Sequence, residues 1–243
     1  MSHDHIVTSF DNELERIRQN IMRMGGEVES QFAKAIQGLV RRDSDLARKV
    51  MEQDANVDAL ETELEEATVK LMALRQPMAD DLRAAVAGLK ISSDLERIGD
   101  LAKNIAKRSI ALNQMPPCGG IGGIQRMARM VQGNTKDMLD AYANLDIEMA
   151  TAVWERDAEV DEMYTALFRE LLTYMMEDPR NISPCTHMVF IAKNIERMGD
   201  HATNIAETVI YLGTGKRVEA ERPKSDTSSF QVLTPDGQEE TEQ

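Results

Sequence analysis

The most constraining feature of this 243-residue chain is that part of it is written twice. Residues 96–106, Glu-Arg-Ile-Gly-Asp-Leu-Ala-Lys-Asn-Ile-Ala, return 100 positions later as Glu-Arg-Met-Gly-Asp-His-Ala-Thr-Asn-Ile-Ala. Upstream, Asp54-Ala-Asn-Val-Asp58 returns as Asp157-Ala-Glu-Val-Asp161, displaced by 103. Nearly equal displacements mean that the elements are kept and only their connections vary. One fold unit is therefore built twice.

The periodicity says what that unit is. Leu14, Ile17, Ile21, Met24, Val28, Phe32, Ala35 and Leu39 recur at spacings of three and four, which lines one face of a helix. Asp43 or Ser44 can cap a second helix, whose seam is Val57, Leu60, Leu64, Ala67, Leu71 and Leu74. Pro77 closes it, and Ile91, Leu95, Ile98, Ala102, Ile105, Ser109 and Leu112 line a third. After Met115-Pro-Pro-Cys-Gly-Gly-Ile-Gly-Gly123, which cannot continue a helix, the pattern restarts. Ile124, Met127, Val131, Met138, Tyr142 and Leu145 predict a fourth helix, and Val153, Val160, Tyr164, Leu167, Leu171 and Tyr174 a fifth. A turn from Pro179 to Pro184 leads into a sixth. The sequence thus predicts an all-α fold of two tandem up-down three-helix bundles related by internal duplication. The first occupies residues 1–114, a Pro/Gly linker 115–123, the second bundle 124–212, and an aperiodic, disordered polar tail 213–243.

Composition narrows the chemistry. Aromatic residues make up only 4% of the chain, which suits helices better than sheets. Forty-two acidic residues against 28 basic ones leave a formal charge of −14, so nucleic acid is not an expected partner, and a metal cation or a basic protein surface is. No basic segment followed by an apolar run opens the chain, and no window approaches the roughly 18 apolar residues of a membrane span, so no direct membrane insertion is expected. Cys118 and Cys185 lie in separate Pro-containing segments without a second Cys or His at ligand spacing, and they read as thiols of a reducing compartment.

The duplicated acids are the candidate site. Glu96 and Asp100, with their copies Glu196 and Asp200, are four residues apart and thus neighbours on one helix face. Relative to the seam they fall on the side away from the core, with Asn104 beside them, which predicts solvated carboxylates. Asp54 with Asp58, and Asp157 with Asp161, repeat the spacing on the preceding helix. Between antiparallel neighbours the two pairs meet across an outer groove, an oxygen-rich site suited to Mg²⁺, Ca²⁺, Mn²⁺ or iron. Acids at this spacing are also common on solvated faces. Like charges there cost about 0.2–0.5 kcal/mol, however, so helix stability does not select for their recurrence.

Arg97 and Arg197 adjoin the acids, either pairing with them or meeting a partner. Gly99 and Gly199 flank the seam, where a missing side chain lets a neighbouring helix come close. His201 reads as a surface residue because its counterpart is Leu101. Arg75 and Arg83 flank the Pro77 turn without forming an anion cradle. No phosphate loop, Gly-x-Ser-x-Gly or His-Glu-x-x-His is present, and no His lies three residues after a Glu as a di-iron bundle requires, which argues against an enzyme.

Met24-Gly-Gly26, Asp43-Ser-Asp-Leu-Ala47, Arg75-Gln-Pro-Met-Ala-Asp-Asp-Leu-Arg83, the two Glu-Arg-Ile/Met-Gly-Asp segments and Thr173-Tyr-Met-Met-Glu-Asp-Pro179 carry a family resemblance. Over roughly residues 6–212 the chain resembles the PhoU family of bacterial phosphate-uptake regulators. The resemblance implies a non-catalytic cytoplasmic protein, peripheral to the inner membrane through its partners. It implies a homodimer that restrains the phosphate-starvation response by linking the phosphate ABC transporter ATPase to a sensor histidine kinase. It also implies metal ions (iron, zinc, manganese or magnesium) on Asp54, Asp58, Glu96 and Asp100, and on Asp157, Asp161, Glu196 and Asp200, with Arg97 and Arg197 as candidate partner contacts. The competing expectation is a metal-dependent enzyme or metal buffer using the same carboxylates.

Overall fold

Asp43 begins the second helix as its position suggests, its Oδ1 accepting the backbone N–H groups of Asp45 and Leu46 at 3.0 and 2.9 Å. The computed structural model describes residues 2–75, 77–220 and 222. The first half consists of α1 (Ser2–Arg41), α2 (Ser44–Arg75) and α3 (Asp80–Leu112). The second consists of α4 (Ile121–Asn144), α5 (Ile147–Glu155), α6 (Asp157–Glu177) and α7 (Ile182–Thr214), with a 3₁₀ turn at Pro179–Asn181. No strand occurs among the described residues. Arg42, with φ 55°, turns the chain between α1 and α2. Its guanidinium donates to the carbonyls of Leu112 at 2.9 Å and Met115 at 2.6 Å, closing the C-terminal end of α3.

The apolar seams form the core. Ile17 to Leu39 of α1 and Ile91 to Leu112 of α3 are buried at every seam position. The α2 seam is buried at Val57, Leu60, Leu64 and Leu71 but surfaces at Leu74.

The predicted fifth helix is two. α5 and α6 meet at Arg156, whose guanidinium holds Asp137 of α4 at 2.6 Å while Trp154 Nε1 donates to Glu207 of α7 at 3.0 Å. Asp157 and Glu159 then open a fresh helix with acids in its first turn, where the helix dipole favours them. In the first half the equivalent pair is Lys34 and Gln53, joined at 3.1 Å, and α2 is unbroken.

The halves are not separate bodies. One continuous cluster of buried apolar residues runs through both. α3 lies against α7, and Arg108 of α3 sets its guanidinium 4.1 Å above the Phe190 ring. Gly25 of α1 lies so close to α4 that a Cβ there would meet Leu139 Cδ2 at 2.5 Å. Cys185 lies on α7 itself, buried, with Cys118 beside it; both are free thiols, and burial pushes the Cys185 thiol up to about 12. Gly213 and Thr214 belong to α7, Gly215 ends it at φ 69°, and the rest of the tail at 221 and 223–243 lies outside the described residues.

Candidate functional site

In the first half, α2 and α3 place their acids along a shared groove. Gly99 makes the approach close: a Cβ there would meet Gln31 Oε1 at 3.2 Å and Val57 Cγ1 at 3.3 Å. Asp54 is buried at 2% exposure, accepting from Gln31 Nε2 at 3.2 Å and pairing with the Lys103 ammonium, which also reaches Asp100 at 3.4 Å. Burial, with Asp100 beside it, raises the Glu96 carboxyl above its ordinary range; burial, with Asp54 beside it, does the same to Asp58. Glu61 joins the same cluster, raised by burial and then by Glu65, and its carboxyl acts on Glu96. Asp54, Asp58 and Glu61 follow at i, i+4 and i+7, so the helical period carried a signal for Glu61 that the duplication hid: its counterpart is Tyr164.

The second half repeats the groove between α6 and α7, more deeply covered. Asp157, Asp161 and Glu196 are 2%, 1% and 3% exposed. For Glu196 this corrects the expectation of a solvated carboxylate, and Glu96, Asp100 and Asp200 are half-buried. A position beside the seam becomes interior once long side chains lie over it, and here Lys193 sets its ammonium on Glu196 at 2.9 Å. Glu196 Oε2 is buried without a hydrogen-bond partner. Burial, with Asp200 and Asp161 adding to it against the opposing Lys193, lifts this carboxyl to about 7. Thr203 Oγ1 donates to Asp157 at 3.0 Å. Arg222 Nε donates to Asp157 at 2.7 Å, and Arg222 pairs with Asp200 at 3.2 Å.

All eight predicted carboxylates thus line two equivalent grooves. Among the described residues, no group of three His, Cys, Asp or Glu side chains stands in an arrangement that holds one metal ion. Lys103 in the first groove, and Lys193 and Arg222 in the second, set positive charge beside these carboxylates. The donors still suit a hard cation: they are carboxylate oxygens, and Glu196 leaves one buried oxygen unsatisfied.

The other candidates sort differently. Arg97 is more than half exposed and lies 3.5 Å from Glu96 and 3.9 Å from Asp100, so it pairs loosely within its own helix; Arg197 is exposed. His201 is not a surface residue. It is largely enclosed between the halves, with Nδ1 2.8 Å from Asp94 of α3, which also accepts from Asn204 at 3.2 Å. Arg75 pairs with Glu13 at 3.0 Å, and Arg83 with Asp80 at 3.2 Å. No helix among the described residues is long and apolar enough to cross a membrane.

Comparison with known proteins agrees with this architecture. A family model of the PhoU domain matches twice, at residues 21–109 and 124–209. A phosphate-specific transport system accessory protein PhoU homolog of Caulobacter vibrioides (strain NA1000 / CB15N) is 52% identical over 227 residues, covering 93% of this chain and 99% of that protein. A homolog of the same description from Rhizobium meliloti (strain 1021) is 49% identical over 230 residues, covering 94% and 97%. The crystal structure of PhoU from Pseudomonas aeruginosa superposes with a TM-score of 0.83 at 42% identity, covering 85% of this chain and 100% of that one. The phosphate transport system regulatory protein PhoU from Streptococcus pneumoniae gives 0.81 at 28% identity, covering 87% and 100%. With two domain matches that coincide with the duplicated helical units, and relatives that span nearly its whole length, the chain belongs to the PhoU family.

Proposed function

We propose that this protein is a non-catalytic accessory regulator of phosphate-specific transport, acting on the cytoplasmic side. In this reading it restrains the phosphate-starvation response by linking the transporter ATPase to a sensor histidine kinase. The observation that carries it is the 52% identity to an accessory protein of that transport system over 93% of the chain. Deleting its gene is expected to leave phosphate-starvation genes expressed in high phosphate. Normal repression in the deletion strain would overturn the reading.

Its regulatory ligand is a hard metal ion in the two carboxylate grooves. When bound, such an ion supplies concentrated positive charge that draws neighbouring carboxylates together. Asp54, Asp58, Glu96 and Asp100 would hold it in one half, and Asp157, Asp161, Glu196 and Asp200 in the other. The exposed apolar side chains Val69, Leu74, Met78, Leu82 and Val86, on α2, α3 and the turn between them, offer a face for a second copy or a partner. A metal buffer would use the same donors, and buried carboxylates with an unsatisfied oxygen favour that alternative equally as far as binding goes. The two differ in the cell: a buffer leaves phosphate-gene expression unchanged when it is deleted.

A further inference from the structure

The two grooves carry the same acids but obtain their counter-charge from different places. In the first it comes from Lys103, a residue of α3. The counterpart of Lys103 on α7 is the uncharged Thr203. In the second groove Lys193 of α7 pairs with Glu196, and the charge on Asp157 and Asp200 comes from Arg222, beyond the last helix, whose side chain is only 18% exposed. Its guanidinium forks onto Asp157, with Nε 2.7 Å from Oδ2 and Nη2 3.1 Å from Oδ1. Nη2 also donates to the Asp200 carbonyl at 3.0 Å, and Nη1 to Asn204 Oδ1 at 3.2 Å. A planar fork meeting a carboxylate in two places and further acceptors around it is recognition of shape, which an ammonium does not supply.

The backbone has to be arranged for this. From Asp200 to Gly215, α7 advances about 22 Å at 1.5 Å per residue, and the chain beyond Gly215 comes back along the helix far enough for the Arg222 guanidinium to reach the Asp200 carbonyl. The described part of the segment bends at Lys216 and Ala220, and the long Arg222 side chain supplies the last part of the reach. Gly215 makes the reversal at φ 69°, with Arg83 so near that a Cβ would meet its Nη1 at 2.9 Å. Val218 then lies over α7, in a cavity shared with Glu207 and Tyr211.

We propose that the groove of the second half is a guanidinium-binding site filled in cis by Arg222, and that this contact latches Arg222 and the described residues 216–220 against α7, so that a hard multivalent cation enters only by displacing Arg222. The latch stands on the contacts above; the competition with a metal rests on the reading of the carboxylates under Proposed function. Limited trypsin digestion of the full chain separates the two, by following cleavage after the exposed Lys216 and Arg217. Arg222 precedes Pro223, a bond trypsin leaves intact, so replacing it removes no cut site. Arg222→Ala is expected to speed cleavage about tenfold, with Arg222→Lys in between, because opening lets the segment leave α7 and enter the protease cleft. Equal rates for wild type and Arg222→Ala would overturn the latch whatever metal does. Adding Mn²⁺ is expected to bring wild type toward the Arg222→Ala rate and leave the variant unchanged. If Arg222→Ala is fast but Mn²⁺ leaves wild type slow, the latch holds and competition with metal is overturned.

Discussion

At the scale of single residues, Glu196 makes burial visible as a pH effect. Its carboxyl is held to about 7 in the folded protein, against 4.5 ordinarily, chiefly because burial disfavours the charge. Between those two values the folded chain binds more protons than the unfolded one, so stability falls as pH rises through the window. The loss is on the order of 3 kcal/mol and is complete above the folded value. Glu196→Gln, melted in the presence of chelator, is expected to match wild type near pH 4.5 and to be the more stable of the two at pH 8. A variant less stable at pH 8 would mean that the ion pair with Lys193 outweighs burial. The residue scale is also where sequence reading reached least far into the site. The i, i+4 acids were legible because spacing alone sets which helix face they share. Whether Asp157, Asp161 and Glu196 lie in water or under other side chains depends on what crosses them, and no local pattern encodes that. Arg222 was hidden for a related reason, since a single arginine in an aperiodic segment carries no period that points to its partner.

At the scale of elements, the duplicated glycines are not equivalent. A Cβ at Gly99 would press on Gln31 Oε1 at 3.2 Å and Val57 Cγ1 at 3.3 Å, whereas at Gly199 the nearest atom is Val160 Cγ1 at an ordinary 3.4 Å. Glycine inside a helix is about 0.8–1 kcal/mol less favourable than alanine when the space is free. Gly199→Ala is therefore expected to raise the melting temperature. Gly99→Ala is expected to leave it unchanged or lower it, since Gln31 would have to shift while holding Asp54. Equal gains in a thermal melt would show that both grooves are equally loose. The helices themselves were readable because their seams are one-dimensional: most predicted seam residues are buried, and the exposed ones, Leu74 and Leu145, lie at helix ends. The break at Arg156 was not. The seam passes through it without a change of period, and what divides α5 from α6 is the hold of Asp137 and Glu207, on α4 and α7, over two adjoining stretches of chain.

At the scale of the whole molecule, the duplication predicts two tandem bundles, and α3 and α7 join them through a common core. Calorimetry is expected to show one unfolding transition, with Ile98→Ala lowering it for both halves together; two resolved transitions would restore the picture of separate bodies. The joining surface includes Asp94, His201 and Asn204, and the last of these also receives Arg222, so the second groove and the seam between the halves share a residue. Lys103 and Arg222 then differ in what their release does. Lys103 is fixed on a helix, and a cation that replaces it moves one side chain. Arg222 lies beyond the last helix, and a cation that replaced it would free a length of backbone. Under the proposed competition the first groove would only store charge, while the second would translate an ion concentration into the position of a peptide strand, a mechanical message that another protein can read without touching the ion.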